Sequence, residues 1–135
     1  MYICEIGCGL GYFTNRLYRE LCSNNDNPLA MNDEPSAINY ELFDLVVIKE
    51  VLWYVCHKLD HFIQNVLSVI KKDGFLYVSQ SFPEFNNWVG QEIIDSPERL
   101  KEILTEYVEP ISICFEKEFR NSQGQYVHFL GQKKS

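Results

Sequence analysis

The stretch Tyr2-Ile3-Cys4-Glu5-Ile6-Gly7-Cys8-Gly9-Leu10-Gly11 decides the fold. Tyr2 to Ile6 is a short apolar strand candidate that runs directly into three alternating glycines. Phe13, Leu17 and Leu21 then recur at four-residue spacing, which predicts an amphipathic helix. Glycines between a strand and a helix let the backbone turn sharply and approach a ligand without Cβ atoms in the way. The first turn of the helix adds unpaired N–H groups and a positive dipole end.

Spacing narrows the ligand. A dinucleotide fingerprint Gly-x-Gly-x-x-Gly beginning at Gly7 requires glycine at position 12, which is Tyr12. A phosphate-cradling loop requires Gly-Lys-Ser/Thr, and the sequence has no such tripeptide. What remains is Glu5-x-Gly7-x-Gly9-x-Gly11, with an acid at the strand end. That carboxylate would repel a pyrophosphate but help orient the ammonium-bearing methionine end of S-adenosylmethionine. The plainer alternative is a glycine turn beside a solvated Glu5.

Outward from the loop, residues 23–42 lose all periodicity; Asn24-Asn25-Asp26-Asn27-Pro28 and Asn32-Asp33-Glu34-Pro35-Ser36 are turn chemistry. Phe43 to Ile48 is a continuous apolar and β-branched run, as expected of a parallel strand buried on both faces. Phe62, Val66, Val69 and Ile70 predict a second helix, with Asp60 as its N-cap, Lys71 and Lys72 at its C-terminal end and Asp73-Gly74 stopping it. Phe75 to Gln80 is the next strand. Ser96 as N-cap, Pro97 at the first helical position and the stripe Leu100, Ile103, Leu104, Tyr107 predict a third helix. Ile111 to Phe119 and Tyr126 to Leu130, joined by Asn121-Ser122-Gln123-Gly124, read as an antiparallel hairpin. This alternation predicts an α/β fold: an open, mostly parallel sheet with flanking helices and a C-terminal antiparallel β-hairpin.

With 135 residues, 46% of them hydrophobic, the chain is expected to form one domain over 1–135. A net charge of -7 argues against a broad nucleic-acid footprint, since phosphate binding wants clustered Lys and Arg. No apolar stretch approaches the ~18 residues of a membrane span, so no membrane partner is expected. The five cysteines (Cys4, Cys8, Cys22, Cys56, Cys114) are odd in number and lack zinc or redox spacing. They read as free buried thiols in a reducing cytosol, which implies a cytoplasmic protein. His57 and His61 stand four apart without a third ligand, so no metal site is expected. His128, alternating with Val127 and Phe129, reads as structural.

Three segments in order resemble the class I S-adenosylmethionine-dependent methyltransferases. Cys4 to Thr14 resembles the first motif of that family. Phe43 to Val55 (Phe43-Asp44-Leu45-Val46-Val47-Ile48-Lys49-Glu50-Val51-Leu52-Trp53-Tyr54-Val55) resembles its fourth strand and the loop after it. Leu67 to Val78, with Lys72-Asp73-Gly74-Phe75-Leu76, resembles the turn into strand five, although Asp73 replaces the usual Pro and Phe75 a Gly. The resemblance implies a Rossmann-like sheet of order 3-2-1-4-5-7-6 with strand seven antiparallel, and S-adenosylmethionine as cofactor over the C-terminal ends of strands one and four. Glu5, Gly7, Cys8, Gly9 and Gly11 would line that cofactor, with Glu50 and Val51 bordering it. Trp53, Tyr54 and Phe82, with Trp88, would shape a pocket for a small-molecule O or N acceptor, against plain core packing of large aromatics. No catalytic residue is assigned; His57, just past the strand-four loop, is the candidate general base, against a solvent-exposed loop histidine.

The sequence departs from that pattern between the first helix and Phe43. Twenty residues, 23–42, cannot hold two strands of about five residues, a helix of about ten and their loops. They are expected to be irregular or poorly ordered, and no ribose-binding acid is assigned. The chain also begins at strand one, without a leading helix. It is therefore expected to be either a shortened methyltransferase or a piece of a longer one. A catalytically incomplete binding domain, working as a homodimer or beside a complete subunit, is the alternative.

Overall fold

The computed structural model describes residues 1–7, 41–83, 88–117 and 124–134. Residues 8–40 lie outside it, and with them Cys8, Gly9, Gly11, the first predicted helix and nearly all of 23–42. The described elements are β1 (Ile3–Gly7), β2 (Phe43–Lys49), α1 (Leu52–Val55), a 3₁₀ turn (Cys56–Lys58), α2 (Leu59–Val69), β3 (Ile70–Phe82), α3 (Pro97–Tyr107), β4 (Val108–Lys117) and β5 (Gln125–Lys133).

The five strands form one sheet in the order β1-β2-β3-β5-β4. β1, β2 and β3 are mutually parallel, while β5 runs antiparallel to both β3 and β4. Four strands therefore share one direction and β5 alone is reversed. The connection between β4 and β5, residues 118–123, lies outside the described residues.

Strand alternation sorts the side chains onto two faces. Cys4, Val46, Ile48, Leu76, Val78, Val127 and Phe129 share one face and are buried in a single core with Ile63 and Val66 of α2 and Leu100, Ile103 and Leu104 of α3. The opposite face carries Glu5, Leu45, Val47, Tyr77, Ser79, Tyr126, His128, Cys114 and Glu116. Leu45 and Val47 are only half-buried, so β2 is not covered equally on its two faces as its apolar run predicts.

α3 forms as predicted: the Ser96 hydroxyl accepts from the Arg99 N–H at 3.1 Å, with Pro97 next to it. α2 does not. It starts at Leu59, continuing the 3₁₀ turn, so Lys58 occupies the cap position and no side chain caps it. Asp60 instead lies in the first turn and accepts a hydrogen bond from Tyr107 of α3 at 2.5 Å. The helix also ends earlier, because Ile70 is already extended (ψ 131) and opens β3. Lys71 to Gly74 then form an irregularity between the pairs Phe43↔Ile70 and Leu45↔Phe75. Asp73 adopts φ 62 there, and Lys71 reaches across to Asp44 at 3.4 Å. The last two strands are longer at Val108 and Lys133 than the hairpin predicted from Ile111 and Leu130, because β5 pairs along its whole length on both sides.

Candidate functional site

The C-terminal ends of β1, β2 and β3 lie side by side, with Gly7 opposite Lys49 and Lys49 opposite Ser79. At the end of β1 a Cβ added to Gly7 would meet no atom of the described residues within 4 Å. Two residues back, Glu5 is paired with Lys49 at 4.0 Å; both groups keep a third or more of their side-chain surface in solvent. A carboxylate and an ammonium thus stand together below the glycine. Burial pushes the neighbouring Cys4 thiol up to about 11, with the Glu5 charge adding to the shift, so Cys4 is a neutral packing group.

Glu50 closes β2 in a left-handed conformation, φ 56, which costs an ordinary side chain roughly 1–2 kcal/mol. Its N–H donates to Ser79 O at 3.0 Å. Its carboxylate collects the Ser81 N–H at 2.9 Å, the Ser81 hydroxyl at 2.8 Å and the Gln80 amide at 3.0 Å. Tyr126 stands opposite Ser81 in register, beside the same carboxylate; burial comes first and Glu50 second in holding its phenol above the ordinary range. Gln80, fully buried, also accepts from the Leu52 N–H at 3.4 Å through Oε1. Glu50 therefore ties the ends of β2 and β3 together, and Val51, half-buried, leads from it into α1.

Beyond the strand ends Trp53 packs edge-on against Phe82 (5.2 Å) and Trp88 (6.1 Å). The segment carrying Trp88 is held down at Gly90, whose φ of 90 and closeness to Cys56 admit no side chain. The buried indole N–H of Trp88 has no hydrogen-bond partner among the described residues. Phe82, Pro83 and Trp88 line a cavity of about 310 Å³ together with Asp95, Glu98 and Gln125. Tyr54, in contrast, is 76% exposed and belongs to a second cavity of about 340 Å³.

Of the residues singled out in the sequence, the structure brings Glu5, Gly7, Glu50 and Val51 to one end of the sheet, and Trp53 and Phe82 into contact beside it. Tyr54 points elsewhere. His57 sits in the 3₁₀ turn, exposed, 3.6 Å from Glu92, and lines the second cavity with His61. No group of three metal-binding side chains occurs among the described residues. Of the thiols expected to be buried, Cys4 and Cys56 are, whereas Cys114 is exposed, because it lies on the face of β4 away from the helices. Sequence reading missed Ser81, Gln80 and Tyr126; nothing local in β3 or β5 marks them, since only the register delivers them to Glu50.

No family model and no curated protein matches the sequence. Solved structures do match in three dimensions. The N-methyltransferase NodS from Bradyrhizobium japonicum WM9 is 20% identical, with a TM-score of 0.64 over 98% of this chain and 85% of that one. A SAM-dependent methyltransferase from Methanosarcina mazei is 16% identical, with a TM-score of 0.58 over 97% of this chain and 91% of that one. The 16S rRNA (adenine(1408)-N(1))-methyltransferase from Catenulisporales acidiphilia is 16% identical, with a TM-score of 0.52 over 73% of this chain and 53% of that one. The last of these acts on RNA, so the fold itself does not support the exclusion of nucleic acid drawn from charge. Together with the strand order and the reversed β5, these likenesses identify the fold of this chain as that of the class I S-adenosylmethionine-dependent methyltransferases.

Proposed function

We propose that the chain binds S-adenosylmethionine across the C-terminal ends of β1 and β2 and transfers its methyl group to a small-molecule O or N acceptor. The observation that carries this reading is the juxtaposition of the glycine end of β1 at Gly7 with the clamped end of β2 at Glu50, in the sheet order described above. Ligands of open α/β sheets bind at such strand ends. Gly7, Gly9 and Gly11, with Cys8, would cradle the cofactor, and Glu5 would face its ammonium end, sharing Lys49 with the cofactor's carboxylate. Glu50 and Val51 would border it.

The cofactor supplies an electrophilic methyl on a sulfonium: the acceptor lone pair forms the new bond to carbon, the C–S pair stays with sulfur, and the acceptor gives up a proton. The protein's share is proximity and alignment. Trp53 and Phe82 would wall the acceptor side. His57, exposed in the 3₁₀ turn that follows α1, is the candidate base for the released proton. The net charge of -7 supports a small molecule over RNA as acceptor.

Calorimetry with S-adenosylmethionine and S-adenosylhomocysteine tests the reading: binding is expected in the micromolar range, and no heat at millimolar ligand rejects it. Binding without turnover on any amine or hydroxyl acceptor would favour the alternative, a catalytically incomplete domain working beside a complete subunit.

A further inference from the structure

Leu76, Val78, Gln80 and Phe82 alternate along β3 on the face that α2 and α3 cover, and all four are buried. Three of them are apolar. Gln80 is not, although no part of it reaches solvent. A glutamine there forgoes the apolar burial that a leucine would supply, and its amide must be satisfied inside the core. Its hydrogen bonds show what it does there instead.

The amide joins two pieces of chain. Nε2 donates to Glu50 Oε2 at 3.0 Å and to Ser81 O at 3.4 Å, while Oε1 accepts from the Leu52 N–H at 3.4 Å. Chemistry fixes this orientation, since a carboxylate only accepts and a backbone N–H only donates. Glu50 and Leu52 flank Val51, so one buried amide holds both sides of the turn from β2 into α1. That turn starts at the left-handed Glu50, φ 56, a conformation that the surroundings must enforce. α1 is only four residues long and has no side-chain cap, so it has little hold of its own on the turn. Val51 and Trp53 are carried on it, and Trp53 packs against Phe82.

We propose that Gln80 is a positioning residue for the strand-end site: it sets the turn from Glu50 to Leu52, and with it the spacing between Val51 on the cofactor side and Trp53 on the acceptor side. The proposal rests on reading the strand ends as the S-adenosylmethionine site. Being fully buried, Gln80 acts through the turn and not on the ligand.

The test is the affinity of the full chain for S-adenosylhomocysteine, measured by calorimetry where circular dichroism shows each variant folded. Gln80→Met keeps the length of the side chain and removes its donors and acceptor. It is expected to bind about tenfold more weakly than the wild type, the size of one lost buried hydrogen bond. Leu104→Ala truncates a buried side chain of α3, outside the turn; it should lower the melting temperature and keep the affinity within about twofold. Gln80→Glu at about pH 5 is the rescue: two carboxyls sharing one proton can again donate to Glu50 and accept from Leu52, so binding should return to within about threefold of the wild type. Wild-type affinity in Gln80→Met overturns the proposal, as does an equal loss in Leu104→Ala or no recovery in Gln80→Glu. If Gln80→Met does not fold, heteronuclear NMR of the wild-type chain decides. Saturation with S-adenosylhomocysteine must then shift the signals of the Gln80 side-chain NH₂ and the Leu52 N–H, both of buried residues, and unmoved signals overturn the proposal. If the wild-type chain binds no S-adenosylhomocysteine, the cofactor reading falls and the role of Gln80 falls with it; binding by the wild type and Gln80→Met alike removes the role alone.

Discussion

Replacing Glu50 by Gln keeps the side chain's size and the left-handed backbone, and changes only what its end accepts. In the native chain Oε1 receives the Ser81 N–H at 2.9 Å, while Oε2 receives the Ser81 hydroxyl at 2.8 Å and the Gln80 amide at 3.0 Å. An amide must put an NH₂ in one of those two places. Facing the Ser81 N–H, it strands a backbone donor that cannot turn away. Facing the other side, it lets the Ser81 hydroxyl rotate and accept, but it strands one N–H of the fully buried Gln80 amide, whose other N–H reaches Ser81 O at 3.4 Å. One stranded donor costs about 1–3 kcal/mol, and the surviving bonds fall from charge-assisted to neutral, about another 1 kcal/mol. Glu50→Gln should therefore lose about 2–4 kcal/mol, a large part of the roughly 5–15 kcal/mol of an ordinary domain. Urea unfolding followed by circular dichroism measures it, with an unchanged slope showing that the unfolded state is the same. The cycle with Ser81→Ala should return a coupling of about 1–2 kcal/mol. A loss under about 0.5 kcal/mol, or no coupling, would refute the clamp.

Three other substitutions probe different parts of the molecule. Gly90→Ala places a Cβ at φ 90 and 2.6 Å from Cys56 Sγ, so it should cost about 2–4 kcal/mol in urea unfolding, part of which Cys56→Ala gives back; equal losses with and without that second change would show that the contact is not the cause. The bond to Asp60, with burial second, pushes Tyr107 up to about 12 from an ordinary 10. Its contribution to stability is then full below about pH 10 and lost as pH rises through about 12, so Tyr107→Phe should flatten the alkaline limb of the stability curve and leave its acid limb unchanged. Gly7→Val places a Cβ where no atom of the described residues lies within 4 Å. It should leave the melting temperature within a few degrees while weakening S-adenosylhomocysteine binding at least tenfold in calorimetry; intact binding would remove Gly7 from the cradle.

Features that are local in the chain were legible before the fold was known. The β-branched run from Leu45 to Ile48 forms β2, and Ser96-Pro97 starts α3, because strand packing and capping act within a few residues. Asp60 and Asp73-Gly74 carry equally familiar local signals, yet both readings failed for one reason. The 3₁₀ turn at Cys56–Lys58 delivers the chain into α2 already helical, so no cap is needed, and the pairing Phe43↔Ile70 pulls the chain out of the helix before Asp73 is reached. In each case a neighbouring element outweighed a local preference worth about 1 kcal/mol.

The site divides along the same line. Glu50 was legible as a site residue because it follows a strand and precedes a turn, but its carboxylate proves to be engaged by Gln80 and Ser81, 30 and 31 positions away along the chain. The Tyr77–His128 bond spans 51 positions. His128 itself looked structural, since its alternation with Val127 and Phe129 shows only that it points away from the core. What it points at is fixed by the register of β5 against β3 and β4. A shift of one residue would turn His128 toward the buried core and Tyr126 away from Glu50. The polar set on that face therefore depends on the core on the other: the burial of Val127 and Phe129 selects the register, and the register assembles Tyr77, Glu116, His128 and Tyr126 beside the end of β2.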